Sequence, residues 1–132
     1  MVSIEFVKQS FAPLEEGDPP SFFKYVADNV SWTITGSEDP FSGHYTSRVD
    51  VVAKSLSRIV ACMATPIKRK VTNVFTCGDW AVVEHTASVT TKKGTAFEQK
   101  FCWVCRYEAD KIVKVRMYED SALVKCILEE NE

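Results

Sequence analysis

Residues 97–124, FEQKFCWVCRYEADKIVKVRMYEDSALV, decide the fold. They read as two strands joined by a tight turn at Glu108 to Lys111, followed by the start of a helix. Both strands alternate apolar and polar side chains, so each has one face to bury. Asp120 is placed to cap the helix, whose apolar side is Leu123, Val124, Ile127 and Leu128. Glu129, Glu130 and Glu132 oppose the helix dipole, so fraying is expected there. A sheet built on this hairpin must curve over something, and a pocket is the expectation.

Working outward, Lys92-Lys93-Gly94 reads as a hairpin turn and Trp80 to Thr90 as the strand before it. One face of that strand carries Ala81, Val83, His85, Ala87 and Val89; the other carries Val82, Glu84, Thr86 and Ser88. Cys77-Gly78-Asp79 is a turn. Ile67 to Phe75 is a further strand, with Lys68-Arg69-Lys70 read as a solvated edge. Upstream, Val49, Val52, Ala53, Leu56, Ile59, Val60 and Met63 form one stripe at helical spacing. Ser47 and Asp50 make a capping-box-like pair at its start, and Pro66 follows its end.

Val30 to Thr35 reads as a strand, and Gly36 to Gly43 as a loop rich in turn formers. Asp18, with Pro19 behind it, opens a short helix carrying Phe22, Phe23 and Val26. Ser3 caps a first helix with Ile4, Val7, Phe11 and Leu14 on one side, which Pro13 should kink or end. The order is helix, helix, strand, helix, a four-stranded meander and a last helix. Helices that precede an antiparallel sheet pack on one face of it, an α+β architecture.

The chain has 132 residues, 45% hydrophobic and 26% charged, as in ordinary globular proteins. A net charge of −2 leaves no footprint for nucleic acid or an anionic membrane. No apolar run suits a membrane span. The first residues, MVSIEFVKQSF, have no secretory pattern, so a cytoplasmic location is expected, with the five cysteines reduced. Cys102 and Cys105 form a C-x-x-C, but on a strand they point to opposite faces. No phosphate loop, nucleophile elbow or zinc signature is present, and neither a metal nor a cofactor is expected.

Several stretches together resemble the nuclear-transport-factor-2-like superfamily, in its SnoaL-like branch. They are Gly17-Asp18; Val26-Ala27-Asp28-Asn29-Val30-Ser31-Trp32; Phe41-Ser42-Gly43-His44-Tyr45; Gly78-Asp79-Trp80-Ala81-Val82-Val83-Glu84; and Asp110 to Asp120. The resemblance covers nearly the whole chain and implies one SnoaL-like domain over residues 1–132. It implies a strongly curved, mostly antiparallel sheet wrapped around helices, forming a cone with an apolar pocket. It also implies a homodimer. Relatives include ketosteroid isomerases, polyketide cyclases, limonene-epoxide hydrolases and scytalone dehydratases, and also proteins that only bind. Fold therefore does not settle function.

Carried over by residue, the resemblance puts the isomerase base at Ile34, its oxyanion-hole acid at Trp103 and its tyrosine near Ser10. The cyclase and hydrolase carboxylate falls at about Met117. None of these positions holds the family's group. Asp120 matches a recurrent aspartate that a helix cap explains. The same alignment turns Trp32, Ile34, Val82, Glu84, Thr86, Gln99, Phe101, Trp103, Val115, Met117 and Glu119 towards the pocket. Among these, Glu84 is the first candidate for acid or base, with His44 and Glu119 assisting. Trp32, Ile34, Gln99, Phe101, Trp103, Val115 and Met117 are expected to contact substrate. His85 reads as a satisfied histidine at a sheet or dimer interface. Two functions stand side by side: a cofactor-independent isomerase, cyclase, dehydratase or hydrolase for a small apolar or polyketide-like molecule, or a non-catalytic ligand-binding or dimerising module.

Overall fold

The computed structural model describes residues 1–132. Six strands form one sheet in the order β2-β1-β6-β5-β4-β3. They are β1 (Val26–Ile34), β2 (Gly43–Tyr45), β3 (Arg69–Cys77), β4 (Trp80–Thr90), β5 (Ala96–Glu108) and β6 (Lys111–Tyr118). All neighbours are antiparallel except β1 and β6. The sheet curves, and the register shifts on β1–β6, β3–β4 and β5–β6 mark irregularities of the kind that bend a strand. The α+β cone is as expected, with one strand more: Gly43–Tyr45 pairs with the end of β1 as an edge.

The helices line the concave side. α1 (Ile4–Glu15) buries Val7, Ser10, Phe11 and Leu14 and runs through Pro13, two residues before its end. That late in a helix, proline costs one hydrogen bond to the preceding turn and no more of the ladder. α2 (Pro19–Phe23) inserts Phe22 and Phe23. The expected caps are all made. Ser3, Asp18, Ser47 and Asp120 each accept a hydrogen bond from a backbone N–H three residues on.

The long helix is not regular. α3 (Arg48–Val51), a π-helical turn (Val52–Leu56) and α4 (Ser57–Ala61) follow without a break. The wider turn shifts the buried face, so Val51, Ser55 and Ile59 point inward while Val49 is 71% exposed. The apolar stripe expected from strict helical spacing is corrected there. α5 (Ser121–Asn131) closes the chain. Its acidic end is tied rather than frayed. Arg58 grips Glu132 through two hydrogen bonds of 2.9 and 2.6 Å, and Lys93 donates to the Glu130 carbonyl at 2.5 Å.

Side chains on the concave face form one aromatic-rich core. Trp32 and Trp103 meet edge to face at 5.1 Å, and Phe11, Phe22 and Phe101 surround Trp103. No helix is long and apolar enough to cross a membrane.

Candidate functional site

A cavity of about 40 Å³ lies between the sheet, α1 and the π turn. β1 supplies Trp32, β5 Phe101 and Trp103, β6 Met117, and the residue after β6 is Glu119. Thirteen of its sixteen lining residues are apolar; Ser55, Arg69 and Glu119 are the others. Ser55 is committed to the helix, since its hydroxyl donates to the Val51 carbonyl. Arg69 and Glu119 are not so committed.

Glu119 has an oxygen, Oε2, that is buried without a hydrogen-bond partner. Burial pushes its pKa up to about 7; the Arg69 charge opposes this, while Asp39 and Asp120 add to it. Near neutral pH it is therefore divided between acid and carboxylate, as a general acid or base should be.

Arg69 opens β3 and faces inward because it pairs with Ala87 of β4, also buried. It is 7% exposed. Its guanidinium lies over Phe101 at 4.2 Å and Trp103 at 5.3 Å from the ring centres. Nη1 donates to His85 Nε2 at 3.3 Å. No carboxylate reaches salt-bridge distance. Burial lowers its pKa to about 10, so it remains a cation at neutral pH.

His85 stacks on Phe101 at 4.8 Å. Burial and then the neighbouring Arg69 charge hold its pKa well below the ordinary value, so the ring is neutral. Arginine can only donate, so Nε2 is the acceptor and Nδ1 carries the proton. That Nδ1 makes no well-formed hydrogen bond, although the Val83 backbone approaches the ring closely enough to raise its pKa, and the indole N–H groups of Trp32 and Trp103 have no partner. The cavity region thus concentrates all four of the protein's buried, unpartnered polar side-chain atoms. Buried polar groups are nearly always paired, and exceptions call for a reason.

The expected site residues divide. Trp32, Phe101, Trp103, Met117 and Glu119 line the cavity. Ile34 and Val115 are buried but lie outside the lining. Gln99 is buried and fully employed: its Oε1 accepts from Asp120 N at 2.9 Å and Lys100 N at 3.1 Å, and its Nε2 donates to Asp120 O at 3.1 Å. It holds the entry to α5 rather than a substrate.

Glu84 and His44 are exposed and lie outside the cavity lining, against the expectation that Glu84 faces the pocket. Glu84 is exposed and pairs across the ladder with Cys102, whereas Val83 pairs with Trp103 and His85 with Phe101. Residues directly opposite in an antiparallel pair share a face. Since Trp103 and Phe101 point inward, Val83 and His85 must as well, and Glu84, Val82 and Thr86 point out. Glu84 instead accepts from Asn73 Nδ2 at 3.1 Å. His44 is exposed on β2, opposite Thr33, whose hydroxyl lies 3.0 Å from its Nδ1. The alternation of β4 carried the right answer, because Ala81, Val83, Ala87 and Val89 make the more apolar face. Arg69 also shares a parity with Ile67 and Val71, a signal obscured by the lysines beside it.

No group of three or more His, Cys, Asp or Glu side chains comes together as a metal site. Cys102 and Cys105 are unpaired, and Cys105 alone is buried.

Comparison with known proteins follows the same line. A family model described as a SnoaL-like domain matches residues 7–115. The dimerizing cyclase phiC of a fungal species is 32% identical over 114 residues, covering 83% of this chain and 50% of that protein. The dimerizing cyclase tstC of Talaromyces stipitatus is 28% identical over 135 residues, covering 99% of this chain and 59% of that one. The chain thus spans between half and three-fifths of these relatives. A nuclear transport factor 2-like protein from Burkholderia thailandensis has the same fold, with a TM-score of 0.77 at 24% identity, over 94% of this chain and 95% of that one.

Proposed function

The chain belongs to the SnoaL-like domain family, and we propose that it is a cyclase-type enzyme whose cavity binds a small, largely apolar molecule and moves a proton on it. The observation that carries this is Glu119: a carboxyl in an apolar cavity, with a free oxygen and a pKa pushed up to about 7. The relatives named as dimerizing cyclases support ring closure as the reaction class.

In this reading Glu119, as carboxylate, takes a proton from carbon next to a carbonyl. The C–H electron pair moves into the new carbon–carbon double bond, and the carbonyl π pair moves onto oxygen, giving an enolate. The unpartnered indole N–H groups of Trp32 and Trp103 are the donors available to that oxygen. The enolate carbon then attacks a second carbonyl carbon of the bound molecule as the first carbonyl re-forms; the π pair of the second carbonyl moves onto its oxygen, and that oxygen takes the proton back from Glu119. No cofactor takes part. Neutral His85 fixes the Arg69 guanidinium against Phe101 and is a positioning residue. The single SnoaL-like domain over residues 1–132, a homodimer and a cytoplasmic location belong to the same proposal.

The size of the cavity favours a second reading. About 40 Å³ holds only a few waters, so a larger ligand must displace lining side chains, and a protein that binds without turnover is the alternative. The two separate in deuterium oxide. NMR of a 1,3-diketone probe should show protein-dependent exchange of its acidic protons, rising with pH through about 7 as Glu119 ionises. Glu119→Gln should lose roughly 10²- to 10⁴-fold of that rate. Binding without Glu119-dependent exchange would make the chain a carrier.

A further inference from the structure

A second space adjoins the cavity on the side of Arg69. A groove of about 340 Å³ lies beyond it, walled by residues that include Gly17, Pro19, Val60 and Met63. Leu14, Leu56, Ile67 and Arg69 line both spaces. Arg69 therefore stands between a small inner cavity and a larger outer groove, and a ligand that reached both would pass it. Three of these four residues are apolar, and the fourth is a buried cation that feels the Glu119 charge but has no carboxylate within salt-bridge distance.

A buried ion is strongly destabilising unless a partner compensates for its lost hydration. The aromatic rings and His85 offset part of that cost, but His85 is neutral and accepts one hydrogen bond only. The guanidinium has five N–H donors in a fork suited to two oxygens of one anion. The Glu119 carboxyl does not reach it.

We infer that Arg69 is an anion subsite, and that the molecule this pocket takes carries a carboxylate held there, on an apolar body that extends through the Leu14–Leu56–Ile67 passage into the outer groove. This rests on the reading of the cavity as a small-molecule site. It adds a permanent acidic group, distinct from the carbonyl at which Glu119 acts. It also resolves the size problem: the inner cavity receives the part that reacts, and the groove receives the rest.

The test uses straight-chain probes. Hexanoate, decanoate, decanol and decylamine are titrated into the whole chain by calorimetry and by NMR of the arginine side-chain N–H signals. Decanoate is expected to bind at least about tenfold more tightly than decanol, a ratio typical of one charge-assisted pair, and to shift the Arg69 signals, which decanol leaves in place. Arg69→Met should equalise acid and alcohol while still binding the alcohol, which shows that the pocket persists. Glu119→Gln should keep the preference for the acid. Val60→Trp, at a position 37% exposed in the groove wall, should weaken decanoate more than hexanoate.

Equal binding of acid and alcohol by the unaltered protein would overturn the inference, as would a preference that survives Arg69→Met. If Arg69→Met does not fold, the unaltered protein's acid-to-alcohol ratio and the arginine shifts decide alone. The two proposals fail separately: acid preference without Glu119-dependent exchange sinks the enzyme and leaves the subsite, and exchange without acid preference does the reverse.

Discussion

Ser10 and Tyr107 are buried together under α1, and Arg69, His85 and Glu119 are buried together around the cavity. The first pair is complete. Ser10 Oγ donates to the Val7 carbonyl at 2.8 Å and lies 2.7 Å from the Tyr107 hydroxyl. Burial, then the neighbouring Cys105, raises the tyrosine's pKa, so it stays a neutral donor. The second cluster has a free carboxyl oxygen, an imidazole N–H with no well-formed hydrogen bond and a guanidinium with no carboxylate at salt-bridge distance. Both were built by one sequence in one core. Polar groups that serve the fold alone are expected to be closed, because an open one is destabilising. On the proposed function the open cluster is stability given up for a ligand, and the predictions below attack that contrast.

The largest expected effect is on stability as a function of pH. Glu119 moves from an ordinary value of 4.5 to about 7 on folding. Below pH 4.5 it is protonated in both states and contributes no penalty. Between 4.5 and 7 the unfolded chain ionises it and the folded protein does not, so stability falls as pH rises. Above 7 the full penalty applies, on the order of 3 kcal/mol for a shift of this size. Glu119→Gln, a neutral isostere, should therefore match the parent in urea unfolding at pH 4 and exceed it by about that amount at pH 8. Equal stabilities at pH 8 would mean that the carboxylate is satisfied after all, and the contrast between the clusters would collapse.

A smaller effect is expected at the closed cluster. Tyr107→Phe removes one hydroxyl, but Ser10 keeps its bond to Val7, so no donor is orphaned. The loss should be about 1 kcal/mol in the same unfolding experiment. Deuterium exchange of the diketone probe should not change. A slower exchange in this variant would join the two clusters and make Tyr107 part of the site.

Much of this was legible in the sequence. The hairpin at 97–118, the four caps and the order of elements follow from local chemistry, which tertiary packing did not override. Trp32, Phe101, Trp103, Met117 and Glu119, expected to face a pocket, line the cavity, and what they do there is part of the proposal. What misled was the side each β4 residue takes. A strand's alternation gives two faces but not which is inside, and an alignment with distant relatives put Glu84 there against the more apolar face. Arg69 was hidden for a related reason: between two lysines it looks like a solvated run, and only the partner strand shows that it points inward. The π turn was illegible because its extra residue per turn leaves no pattern in composition, only a displaced buried face.

The smallest expected effect is at Glu84, and it tests the face assignment directly. Glu84 and Glu119 lie on adjoining parts of one sheet, yet one is exposed on the convex side and the other is enclosed on the concave side. Glu84→Gln keeps the hydrogen bond from Asn73, because the amide oxygen can accept in place of the carboxylate. It lies away from the core, so its stability change should stay within about 0.5 kcal/mol. Exchange of the probe should be unaltered, and decanoate should bind as before. A large loss of exchange at Glu84 together with none at Glu119 would require β4 to be turned over relative to β5. Every ladder pair from Trp80–Arg106 to Thr90–Ala96 would then shift by one residue, which would expose Val83 and Ala87 and bury Glu84 and Ser88 in the aromatic core. The energetic cost of that exchange is why the prediction is firm even though the effect itself is close to zero.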